Sequence, residues 1–96
     1  MQKITQAQRE FLCGELIGCQ VAVVKSSHKG YLHASGQVVD ETARTFLLHT
    51  GKGIKRVPKN CCTFAFPDAS VEIDGKVLLG RPEDRTKKLY QKLSRM

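Results

Sequence analysis

The sequence predicts a mainly β protein, a small antiparallel barrel of about six to seven strands with short N- and C-terminal helices. Two observations carry this. Short runs rich in β-branched and aromatic residues recur from Gln20 to Leu79. The links between them are of hairpin length and rich in Gly, Asp and Pro. So many short strands hide their edges best when the sheet closes on itself. Ninety-six residues make one domain, 1–96, with chain enough for one modest core and no need of disulfide staples.

The elements follow in order. Thr5 and Gln8 have the spacing of a capping box, with Phe11, Leu12 and Leu16 as the apolar positions behind it, so a helix is expected over about 5–16. Gly14 shortens or frays it and Gly18 can stop it. The period then changes. Gln20-Val21-Ala22-Val23-Val24, Gly36-Gln37-Val38-Val39-Asp40 and Thr45 to Thr50 read as strands. Asp40-Glu41 reads as a turn between two of them. Gly51-Lys52-Gly53 reads as a three-residue hairpin loop before the short strand Ile54 to Val57. Cys62, Phe64 and Phe66 alternate with Cys61, Thr63 and Ala65, the clearest half-buried strand. Pro67-Asp68 starts a turn, Val71 and Ile73 alternate with acids, and Asp74-Gly75 signals a hairpin leading to a last strand, Val77-Leu78-Leu79. Gly80, Pro82, Glu83 and Asp84 then form a helix start, with Lys87, Lys88, Lys92 and Arg95 toward the negative end of its dipole and Leu89 and Leu93 as its apolar stripe over about 82–95.

The formal charge is +7, from sixteen Lys/Arg against nine Asp/Glu, which favours a polyanionic partner such as nucleic acid or an anionic membrane surface. No apolar run approaches the roughly 20 residues of a membrane span, and the first residues lack the apolar core of a signal peptide, so a cytoplasmic protein is expected. Cys13, Cys19, Cys61 and Cys62 contain no Cys-x-x-Cys spacing and read as small buried hydrophobes in a reducing compartment; no metal or other cofactor is expected on this chain. His28, His33 and His49 have no motif partners, and no P-loop, nucleophile elbow or zincin motif is present. An RNA-binding role is the better-supported chemistry. Lys25, Lys29, Lys52, Lys55, Arg56 and Lys59 fall in or beside loops and short strands, and Arg81, Arg85, Lys87 and Lys88 form a second cluster suited to phosphate contact. With only Tyr31 and Tyr90 as candidate exposed aromatics, grip by backbone and shape fits better than base stacking. Phe11, Leu12, Leu16, Leu89, Tyr90 and Leu93 form stripes too thin to order the ends alone, and are expected to bind a protein partner. Two other readings remain, a protein-interaction barrel with an incidental basic face and a ring-forming Sm-like RNA chaperone.

Four stretches bear a family resemblance: Glu15-Leu16-Ile17-Gly18, Gly36-Gln37-Val38-Val39-Asp40-Glu41-Thr42, Val57-Pro58-Lys59, and Arg81-Pro82-Glu83-Asp84-Arg85. In this order, across nearly the whole chain, they resemble the archaeal ribonuclease P protein component 1 family, relatives of a eukaryotic ribonuclease P/MRP subunit. The resemblance implies an Sm-like barrel with helical ends. It implies a non-catalytic subunit that binds ribonuclease P RNA and assists removal of the 5′ leader from precursor tRNA. The RNA subunit would carry the Mg²⁺-dependent endonuclease chemistry. It further implies partnership with the zinc-ribbon protein ribonuclease P protein component 4 and with other ribonuclease P proteins. Arg81 and Arg85 carry over from the matching motif as functional positions. Two loops depart from the pattern: His33 stands where relatives often have glycine, and Pro67-Asp68-Ala69 where they often have Pro-Asp-Gly.

Overall fold

The computed structural model describes residues 5–80; the helix expected over 82–95, and with it Arg81, Arg85, Lys87, Lys88, Leu89, Tyr90 and Leu93, lies outside the described residues. Thr5 caps helix α1 (Gln6–Cys13) with the full capping box: its hydroxyl accepts from the Gln8 backbone N–H at 3.1 Å, and the Gln8 side chain accepts from the Thr5 N–H at 3.0 Å. Gly14 caps the other end in an extended conformation, so the helix stops three residues before the expected Leu16. Six strands follow: β1 (Gln20–Ser26), β2 (Ser35–Glu41), β3 (Thr45–Thr50), β4 (Gly53–Pro58), β5 (Cys62–Phe66) and β6 (Val71–Asp74). All pair antiparallel in one sheet, in the order β4-β3-β2-β1-β5-β6.

The sheet curls on itself. Phe46 on β3 and Phe64 on β5 stand three places apart in the strand order, about 14 Å in a flat sheet. Their rings nevertheless meet edge to face with centroids 5.2 Å apart. Register breaks between Val23 and Lys25 and between Val38 and Asp40 supply extra bend in β1 and β2. The barrel is not closed by strand pairing, because β4 and β6 remain the two edges of the sheet. The edges converge instead through packing just beyond their ends. Gly75, which follows β6, lies so close to Lys59, which follows β4, that an added Cβ would overlap the Lys59 carbonyl oxygen. Inside the curl, Val21, Val23, Val38, Phe46, Leu48, Val57, Phe64, Phe66 and Ile73 are buried, every strand contributing.

Several local expectations change. The seventh strand is a 3₁₀ turn, Gly75–Leu78, because the Asp74 carboxylate accepts from the Lys76 N–H at 2.9 Å and caps a helical turn where a hairpin was expected. The β3–β4 link has two residues, since Thr50 pairs with Gly53, which takes φ 112°. Asp40 and Glu41 belong to β2, and Glu41 is buried, because the Val39 bulge rotates it inward. The turn at Pro67–Ala69 forms as expected, with Ser70 at φ 51° taking the left-handed position.

The helix α1 closes one side of the core. Its Phe11 ring meets Phe66 with centroids 5.6 Å apart, and the Gln8 amide donates to the carbonyls of Ala69 and Ser70. Leu12 and Leu16 are fully buried in this chain's own core. Their side chains are therefore covered by this chain's own sheet and are not the exposed stripe that was expected, because the two turns of α1 and the residues after it lie against the core. Phe11 is half-buried by the same packing.

Candidate nucleic-acid interface

Two of the loops singled out by charge meet in space. β1 leads through the short 3₁₀ turn Lys29–Tyr31 into β2, and this turn faces the β3–β4 hairpin across a cleft of about 590 Å³. Gly30, His33, Thr50, Lys52, Ile54 and Lys55 are among its walls. Lys55 bridges the two sides. Its ammonium donates to the Gly30 carbonyl at 2.5 Å and stands 5.7 Å from the centre of the Tyr31 ring. The Tyr31 ring is half-buried under it and meets His28 edge to face, so the aromatic expected to be exposed serves as a floor. Lys29 and Lys52 are exposed on either side of this bridge. The hairpin tip is held by Thr50, whose hydroxyl donates to the Gly53 carbonyl at 2.7 Å and accepts from the Lys52 N–H at 3.1 Å. His33 takes φ 68°, a region where glycine is at ease and histidine is several-fold commoner than most residues. That conformation explains why glycine suits this position and places an imidazole on the cleft wall.

The other predicted cations lie apart. Lys25 is exposed beside a second cleft of about 510 Å³, where Lys76, which the charge pattern did not single out, joins it. Cys61 and Cys62 line the same cleft with their sulfurs 3.7 Å apart, and burial pushes the Cys62 thiol pKa up. Arg56 is exposed on the outer face of β4 and donates to the Thr45 hydroxyl at 3.4 Å. Its neighbour Arg44 is a second exposed arginine at that end, also missed from sequence because it stands alone in a polar turn.

Lys59 is a correction. Its charge and its place beside a loop predict the RNA-binding surface, but it is fully buried. Its ammonium forms an ion pair with the equally buried Glu41 carboxylate at 2.6 Å and donates to the carbonyls of Thr42 and Gly80, each at 2.9 Å. The three N–H donors of a lysine are thereby matched. The Phe46 ring lies beneath, 4.8 Å from Nζ to centroid. A buried ammonium must be paired in this way because the desolvation cost is several kcal/mol per ion.

Among the described residues, no group of three or more His, Cys, Asp or Glu side chains gathers as for a metal, and no helix is long and apolar enough to cross a membrane. Comparison with known proteins agrees with the shape. The family model for ribonuclease P/MRP subunit p29 matches residues 9–88. The protein named ribonuclease P protein component 1 of Methanosphaera stadtmanae is 42% identical over 82 residues, covering 82% of this chain and 88% of that protein. The protein of the same name from Pyrococcus abyssi is 43% identical over 88 residues, 88% of this chain and 68% of its own length. A solved structure, described as a homologue of the human RNase P protein Rpp29, aligns with a TM-score of 0.54 and 43% identity over 74% of this chain and 96% of that one. With the curled six-stranded sheet and a matched stretch that spans most of the sequence, the chain belongs to the ribonuclease P/MRP subunit p29 family.

Proposed function

We propose that this chain acts as a non-catalytic RNA-binding subunit of ribonuclease P, gripping the RNA subunit at the Lys52–Lys55 cleft and the exposed Lys29 of the adjoining turn. In this reading Arg81, Arg85, Lys87 and Lys88 add a second set of phosphate contacts. The observation that carries it is the bridge made by Lys55. One lysine ties the cleft's two walls to each other while Lys29 and Lys52 stay exposed beside it, so the backbone segments that carry these cations are held together. Cations on segments already tied release counterions on meeting phosphates without first ordering a loop. The complex removes the 5′ leader from precursor tRNA, its Mg²⁺ and its bond-breaking belonging to the RNA subunit. A zinc-ribbon protein, ribonuclease P protein component 4, is its direct protein partner, and the terminal segment with Leu89, Tyr90 and Leu93 supplies apolar contact to it.

Reconstitution tests this. Leader cleavage by the RNA subunit and the remaining proteins should quicken when this chain is added. Lys52→Gln with Lys55→Gln should reduce the slope of log affinity against log salt by about 1.4–1.8, at roughly 0.7–0.9 for each phosphate no longer neutralised. A slope unchanged by the double replacement removes the cleft from the RNA interface.

A further inference from the structure

Neighbouring residues of a strand point to opposite faces, so a Cys-Cys pair inside β5 would hold its thiols apart. Cys61 escapes that rule because it lies in the turn before β5, of which Cys62 is the first residue. Both therefore line one cleft of about 510 Å³, with their sulfurs 3.7 Å apart. The backbone that carries them is held on both sides. The Ser27 N–H donates to the Cys61 carbonyl at 3.0 Å, and the Cys62 thiol donates to the Ser26 hydroxyl at 3.5 Å. Joining the two sulfurs to each other is opposed by the chain, since consecutive Cα atoms are about 3.8 Å apart and a disulfide wants roughly 4.4 Å or more. An ion between them meets no such obstacle. Two bonds of about 2.3 Å, the zinc–thiolate length, span any separation up to about 4.6 Å. The number of donors then selects the ion. Among the described residues no third His, Cys, Asp or Glu joins the pair as for a metal, and the Asp74 carboxylate on the cleft wall already accepts from the Lys76 N–H at 2.9 Å. Zinc calls for four ligands. A soft monovalent d¹⁰ cation such as Cu(I) is satisfied by two thiolates. Two thiolates around one such ion leave a single negative charge, and the exposed Lys25 and Lys76 line the same cleft to balance it.

We propose that Cys61 and Cys62 chelate one soft monovalent d¹⁰ cation, Cu(I) being the representative, between their two sulfurs. Binding is a ligand exchange: two S–H bonds break, two sulfur–metal bonds form and two protons leave to solvent, with no change of oxidation state. The site shares no residue with the Lys52–Lys55 cleft, so it stands whether or not that cleft meets RNA.

The test is an anaerobic titration of the full, reduced chain with Cu(I) against a chromophoric Cu(I) chelator. One ion should bind per monomer, with thiolate-to-copper absorption in the ultraviolet, and the melting temperature should rise with free Cu(I). Cys61→Ser and Cys62→Ala should each weaken binding by about 10²–10⁴-fold, the advantage of holding two donors on one frame. Each should also abolish the rise in melting temperature. Cys61 is only half-buried, so Cys61→Ser leaves the core in place and decides the matter should Cys62→Ala fail to fold. Cys19→Ser should bind as the unaltered chain does. Zn²⁺, offered in the same way, should bind far more weakly. Unchanged affinity in a folded Cys61→Ser, a loss of equal size in Cys19→Ser, or a dimer bridged by copper overturns the chelate. Zinc binding as tight as that of Cu(I) overturns the two-ligand site.

Discussion

Gly75→Ala isolates a steric requirement from a conformational one. Gly75 is not in the left-handed region, so alanine adopts its backbone angles without strain. Space is the obstacle. An added methyl would overlap the Lys59 carbonyl oxygen and stand 2.7 Å from Phe64 Cε2 and 2.8 Å from the Cys62 carbonyl oxygen. Ordinary contact begins near 3.4 Å, so the Cys62 carbonyl alone must retreat by about 0.6 Å, and Lys59 by more. Neither yields easily. The Lys59 residue is tied by its own N–H and ammonium, Cys62 belongs to β5, and the Phe64 ring is wedged against Phe46. Overpacking a close-packed site costs typically 1–3 kcal/mol, and the upper end applies because two of three obstacles are backbone. The stiffer unfolded chain returns about 0.4–1 kcal/mol. A net loss of about 2 kcal/mol follows, or roughly 8–16 °C in Tm at 4–8 °C per kcal/mol for a domain of this size. Urea melts with an unchanged m-value would report it. A loss under about 0.5 kcal/mol would show that the two edges of the sheet do not converge at Gly75.

Three further outcomes follow from the same geometry. Phe64→Ala should cost about 3–5 kcal/mol in urea melts, the usual range for a fully buried aromatic; a cost below about 1 kcal/mol would place that ring at the surface. Lys59→Met alone should destabilise by about 3–5 kcal/mol, since it leaves the Glu41 charge buried and unmatched, whereas the double replacement with Glu41→Leu should be near neutral; equal losses would refute the ion-pair account. Burial raises the Cys62 thiol pKa above that of the unfolded chain, so its contribution to stability is complete below about pH 8.5 and fades as pH rises through the folded value. Unfolding free energy should therefore fall less steeply between pH 8.5 and 10 in Cys62→Ala than in the unaltered protein.

What could be read from residues alone was what depends on near neighbours. The Thr5–Gln8 capping box and the alternation of Cys62, Phe64 and Phe66 each lie within a few residues and form as their spacing predicts. Asp74-Gly75 misled because its signal is also local and has two outcomes. An Asp followed by Gly opens a type I′ hairpin or caps a 3₁₀ turn, and the choice was made by the space beside Lys59, distant in sequence. Lys59 misled for the same reason. A lysine after Val57-Pro58 looks solvated until a bulge some twenty residues earlier turns Glu41 toward it. Leu12 and Leu16 looked like a thin stripe because sequence shows the width of a helix face but not the breadth of the sheet beneath it. For the site, the basic loops were legible by charge, but which of them meet was not: that Lys52 and Lys55 share a cleft with Gly30 and His33 while Lys25 joins Lys76 is decided by the curl of the sheet.

The strand order also dictates a folding schedule. β2, β3 and β4 are a meander whose partners adjoin in sequence, so their loops close at small entropic cost. β1 sits at the middle of the sheet and must wait on one side for β5, with Val23 finding Phe64 across some forty residues. Pairings of that span slow the search for the native state, since their loop must close before any contact rewards it. The meander is therefore the natural nucleus, and the β1–β5 seam is the late event. Core replacements on β3 should slow refolding, while those on β5 should chiefly hasten unfolding.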